Sequence, residues 1–138
     1  SGDFASEGGS SLAVTANFPG GAWKGAIVEV MEYMDWTPYE TISCDIFIPA
    51  DTPTGLKAKI VLTVGDSWQW VEMSRSTKLT PGEWVTITAN LLPGSMDWKR
   101  LNPTDEFRAD VRKIDIRVES NRKPVYNGLF YIDNIKVQ

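Results

Sequence analysis

The 138-residue chain contains no histidine. That absence removes Ser-His-Asp and Cys-His nucleophile arrangements and most zinc sites together, because each needs an imidazole as base or ligand. Cysteine is nearly absent too. Cys44 stands alone, so it has no internal disulfide partner, and it lies in the apolar run "TISCDIFIP", where a thiol serves as a small buried hydrophobe. No apolar stretch approaches the roughly 18 to 20 residues of a membrane-spanning helix. The opening "SGDFASEGGSS" carries neither the basic nor the apolar part of a secretion signal. Basic runs are also missing: 14 Lys and Arg against 18 Asp and Glu leave a net charge of −4. Nucleic acid, held through its phosphates by clustered cations, is therefore disfavoured as a partner. No glycine-rich loop precedes a helix to cradle a phosphate.

Helical periodicity is scarce, and what takes its place is β-structure. Runs rich in β-branched and aromatic residues recur as "SLAVTANF", "GAIVEVME", "TISCDIFI", "LKAKIVLTV", "SWQWVEMS", "WVTITANL", "VRKIDIRVE" and "GLFYIDNIKV". Between them stand turn signals such as "PGG", "PADTPTG", "TPGE" and "LPGS". Eight strands broken in this way predict one all-β domain over residues 1–138, a jelly-roll β-sandwich of two antiparallel sheets. The one helical candidate is a short turn in "PTDEFRADVRKI", capped by Thr104 or Asp105. Apolar content of 42% is ordinary for a soluble domain, and the length suffices for a core without disulfides.

Alternation within the strands assigns their faces. Leu56, Ala58, Ile60, Leu62 and Val64 point inward, and so do Ile114, Ile116 and Val118, and Val85, Ile87, Ala89 and Leu91. Lys57, Lys59, Val61 and Thr63, with Asp115, Arg117 and Glu119, then face outward. In "VGDSWQWVEMSRS", read as a strand, Trp68, Trp70, Glu72 and Ser74 share the outer face while Val71 and Met73 enter the core. Aromatic rings beside a carboxylate are an unusual filling for a sheet face. A pyranose ring has apolar C–H faces and a rim of hydroxyls, so a site for it wants flat rings beneath and bidentate polar groups at the edge. The remaining tryptophans divide differently. Trp36 and Trp84 suit the sealing of a core, Trp98 lies in a loop segment with either role open, and Trp23 follows the flexible "FPGGA".

With no histidine, carboxylates alone could support catalysis. Glu29, Glu72 and Glu119 are candidates for a glycosidase pair, but none lies in a paired motif, and no enzyme is predicted.

The order "SLAVTANFPGGAWKGAIVEV", "YMDWTPYETISCDIFIP", "GDSWQW" and "RVESNRKPVYNGLFYIDNIKV" resembles the β-sandwich carbohydrate-binding modules of bacterial glycoside hydrolases. The family most like it is the mannan-binding family 27, with families 4, 11, 16 and 22 more distant. The resemblance implies stacking by Trp23, Trp68 and Trp70, with Glu72, Arg117, Glu119 and Asn121 reaching sugar hydroxyls on a concave sheet face. It further implies a soluble β-1,4-linked plant polysaccharide as ligand, mannan or glucomannan first and β-glucan or xyloglucan second. A tethered hydrolase and an extracellular location follow from the same likeness. A surface-adhesion sandwich without a sugar site is the competing expectation. Relatives hold a structural calcium through an early acidic pair and the aspartate of "IDN", here Asp133. This chain offers only the separated Asp3 and Glu7 near its start.

Overall fold

A computed structural model describes residues 8–21, 23–99, 101–121 and 125–138, with Trp23 and Asn121 described by backbone alone. Among the described residues ten strands form: β1 (Leu12–Phe18), β2 (Trp23–Met34), β3 (Thr41–Phe47), β4 (Leu56–Val64), β5 (Gln69–Met73), β6 (Thr77–Lys78), β7 (Trp84–Asn90), β8 (Trp98–Lys99), β9 (Val111–Asn121) and β10 (Tyr126–Val137). The eight expected strands are present, and β6 and β8 are two-residue additions. One helix, α1 (Asp105–Ala109), opens on Thr104, whose Oγ1 accepts from the Phe107 N–H at 3.0 Å.

The strands make two antiparallel sheets, one ordered β1-β10-β3-β7 and the other β2-β9-β4-β5-β8, with β6 paired to β4. Successive strands cross repeatedly between the sheets, as a jelly roll requires. The core lies between them and is built from the inward parities read in the sequence. Leu56, Ile60, Leu62, Val71, Ile116 and Val118 come from the six-stranded sheet, and Ile42, Ile46, Ile87, Ala89 and Phe130 come from the other. Cys44 is buried there, and burial pushes its thiol up to about 12, so it remains an inert apolar filler.

Two tryptophans close the sandwich. Trp36 is buried, with its N–H bonded to the Arg108 carbonyl at 2.7 Å. Trp98 is buried as well, because its indole Nε1–H finds the Asn90 carbonyl at 2.8 Å and the ring packs on Phe107. Buried Arg108 donates to the carbonyls of Thr37 and Tyr39, tying α1 to the segment between β2 and β3. Trp84 does not seal the core. It stands half-buried on the outer face of the four-stranded sheet, as its alternation predicted, with Phe47 directly across from it.

Candidate functional site

The outer face of the six-stranded sheet is organised in rows that cross the strands. Register aligns Glu29, Asp115, Val61, Glu72 and Lys99 in one row, and Met31, Lys113, Thr63 and Trp70 in the next. On the other side of the first row lie Ile27, Arg117 and Lys59, followed by Gly25, Glu119, Lys57 and Lys78. The outward parity assigned to Lys59, Val61, Thr63, Glu72 and Asp115 is right, but all five are buried. Central strands are flanked on both sides, and the long side chains of neighbouring strands close over them.

Glu72 is the hub of this face. Its carboxylate meets Lys59 at 3.1 Å, Lys99 at 3.3 Å and Arg117 at 3.0 Å. Burial opposes its charge, yet the hydrogen bonds and charges of Lys59 and Lys99 outweigh that and hold the carboxyl below its ordinary value. Arg117 also pairs with Glu119 at 3.3 Å, and Glu119 accepts from the Ser76 hydroxyl. Glu72, Arg117 and Glu119, named from the sequence as separate polar candidates, thus form one connected network. A buried carboxylate shared by three cations keeps its geometry, because moving it would leave buried Lys59 without a counter-ion.

Beside this floor the rings are exposed. Trp70, the second residue of β5, is on the outer face and 38% exposed, and Trp68 is 44% exposed. Trp68 does not belong to the strand. It occupies the turn after Gly65, with φ of 54°, and its N–H bonds the Gly65 carbonyl at 3.1 Å. Asp66 and Ser67 make the turn, so the strand starts one residue later than the simple alternation implies. A left-handed tryptophan is costly, and such strain survives where neighbours over-determine it. Those neighbours are Tyr33 and Arg112: Tyr33 meets Trp68 edge-on at 6.3 Å, and the Arg112 guanidinium lies 5.0 Å from the Tyr33 ring centre and 5.1 Å from that of Trp68. Asp110 grips Arg112 at 2.9 and 3.0 Å, which keeps the guanidinium in place.

Tyr33, 71% exposed, was missed in the sequence although it continues the parity of Gly25, Ile27, Glu29 and Met31. Backbone pairing joins Trp23 to Asn121 at the opposite end of β2 and β9, and the side chains of both lie outside the described residues. Asp133 is on the other sheet, directly across from Asp45. Asp45 accepts from Thr86 Oγ1 at 2.6 Å, and Asp133 accepts from the Asn134 N–H at 2.8 Å at a bulge where Asn134 has φ of 52°. The described residues contain no cluster of three or more His, Cys, Asp or Glu able to hold a metal. Two carboxylates fall short of the six to eight oxygens calcium takes, and Asp3 and Glu7 lie outside the described residues.

No protein-family model matches the sequence, and no curated protein matches it. Solved structures do. A non-crystalline-cellulose-specific carbohydrate-binding module of family 28 superposes with a TM-score of 0.71 at 12% identity, over 98% of this chain and 79% of that one. The first family 27 module of Caldicellulosiruptor saccharolyticus, solved with mannohexaose, gives 0.65 at 19% identity over 98% and 78%. The chain has the fold of a β-sandwich carbohydrate-binding module. An exo-β-agarase also contains this fold, with a TM-score of 0.60 at 14% identity over 93% of this chain and 22% of the enzyme.

Proposed function

We propose that this chain is a non-catalytic carbohydrate-binding module that holds a soluble stretch of β-1,4-linked plant polysaccharide, mannan or glucomannan, along the outer face of its six-stranded sheet. The observation that carries this reading is the inverted burial of that face, where Trp68, Trp70 and Tyr33 are exposed while Lys59, Glu72 and Arg117 in the neighbouring rows are covered and paired. Rings held open beside a fixed polar floor offer contact area without reorganisation on binding, which suits an uncharged ligand with apolar ring faces and a rim of hydroxyls. An adhesion sandwich lacking a sugar site would have no cause to keep the rings uncovered.

Trp68 and Trp70 are the stacking platforms, with Trp23 at the far rim. Arg117, Glu119 and Asn121 supply hydrogen bonds to hydroxyls, and Glu72 fixes the arginine. The same ion pairs speak against hydrolysis, since a carboxylate held by three cations is a poor base for activating water. The module's role is to raise the local concentration of substrate for a covalently tethered hydrolase in the extracellular medium. The module solved with mannohexaose and the agarase containing the same fold support ligand and tether respectively. β-Glucan is the second reading, supported by the cellulose-specific neighbour. A binding screen over mannan, glucomannan, barley β-glucan and xylan tests the proposal. Retention by mannan and glucomannan is expected, and retention by none of the four refutes it.

A further inference from the structure

One polar group on the outer face is used neither by the ion-pair floor nor by the aromatic platform. Asp115 is 3% exposed, and its Oδ1 has no hydrogen-bond partner. Its lateral neighbours are Glu29 on β2 and Val61 on β4, a second carboxylate and an isopropyl group. Every cation near it is committed elsewhere: Lys113 to Glu29, Arg117 to Glu72 and Glu119, and Lys59 to Glu72. Burial raises the Asp115 pKa, Lys113 partly opposes this, and the charge and hydrogen bond of Glu29 reinforce it. A buried acceptor without a donor is costly, and a fold retains such a cost where function draws on it.

We propose that Asp115 reads a hydroxyl of the bound glycan, its unpartnered Oδ1 accepting the hydrogen bond once the side chains that cover it move aside, and that the Glu29–Asp115 pair restricts this part of the face to uncharged sugars. This deepens the binding role assigned above and rests on it. Trp70 lies one row along the strands and two strands across from Asp115, a diagonal of roughly 12 Å from standard sheet spacings, so a chain stacked on Trp70 crosses β4 to reach it. A hydroxyl supplies the missing donor. A uronate or sulfate brings a third negative charge against two carboxylates and is rejected.

The test is calorimetric titration of mannohexaose, cellohexaose and an oligogalacturonate into the wild type, Asp115→Ala and Asp115→Asn, between pH 4.5 and 7.5. The wild type is expected to bind a neutral hexaose and not the uronate, more tightly as pH rises and the carboxylate becomes the stronger acceptor. Asp115→Ala should bind at least tenfold more weakly. Asp115→Asn, which keeps the size and one acceptor, should recover part of that loss and show a flat pH profile. Should the alanine variant fail to fold, the asparagine variant and its pH profile carry the test alone. Wild-type affinity and pH dependence in Asp115→Asn, or oligogalacturonate bound as well as a neutral hexaose, overturns this assignment while leaving the binding reading intact. A wild type that binds none of the three sugars overturns both.

Discussion

The two sheets treat their outer faces in opposite ways. On the four-stranded sheet two of the outer rings are covered, Tyr131 at 4% and Phe47 at 7% exposed with ring centres 6.1 Å apart, and half-buried Trp84 packs on Phe47 at 5.4 Å. On the six-stranded sheet the rings stand open and the ionic groups are covered. Burying rings is the favourable direction, at about 25 cal/mol per Å² of apolar surface, and burying charges is the costly one. The first face is therefore explained by folding alone. The second gives up stability, which is the mark of a surface arranged for a ligand.

Crossed substitutions provide the strongest way to break this contrast. Phe47→Ala is expected to lose about 3–5 kcal/mol of stability while leaving sugar affinity unchanged. Trp70→Ala or Trp68→Ala is expected to abolish most of the affinity with little change in melting temperature. A melting curve and a titration on each variant decide the matter, and a large stability loss at Trp70 would make it a core residue. Next in size is Glu72→Ala, which leaves buried Lys59 without its counter-ion while Arg117 keeps Glu119, and should cost about 3–5 kcal/mol in chemical denaturation.

The two shifted carboxyls respond to pH with opposite signs. Glu72 is held below its ordinary value of 4.5, so its stabilisation is complete above that pH and is lost as pH falls through the lowered value. Asp115 is raised above 3.8, so its contribution favours folding in acid and is lost as pH rises through the raised value. Asp115→Asn should therefore melt higher than the wild type at pH 7, and that advantage should shrink in acid. Arg112→Ala should have a smaller effect, weakening affinity severalfold by releasing Trp68 from its strained turn, which tryptophan fluorescence anisotropy would register. Salt should alter affinity little, because the floor charges already have partners. EDTA tests the calcium expectation at Asp133 and should produce the smallest effect of all, at most a slight fall in melting temperature. An unchanged melt removes the ion.

The core was legible in the sequence because inward residues of period two are aliphatic on nearly every strand, and Ile60, Ile87 and Ile116 are where parity puts them. The outer face was less so. Parity tells which side a residue takes but not whether that side is covered, and Lys59 and Asp115 are buried by neighbours joined to them only through sheet order. Trp68 was misplaced because the alternation of Trp70 and Glu72 was carried back to it, although Gly65, Asp66 and Ser67 before it are a turn signal in their own right. Trp84 was pulled between alternation and its post-turn position, and alternation won. Tyr33 escaped notice because the alternating run "GAIVEVME" was read as ending at Glu32, one residue short of it.

The central claim is that the glycan lies on the outer face of the six-stranded sheet. It is tested most directly by titrating mannohexaose into isotopically labelled protein and following the backbone amides and indole N–H signals by NMR. The account predicts saturable shifts at the Trp68 and Trp70 indoles and at the amides of β4, β5 and β9, with β1, β3, β7 and β10 unmoved. Shifts concentrated on the four-stranded sheet, or none on either face at saturating sugar, would contradict it.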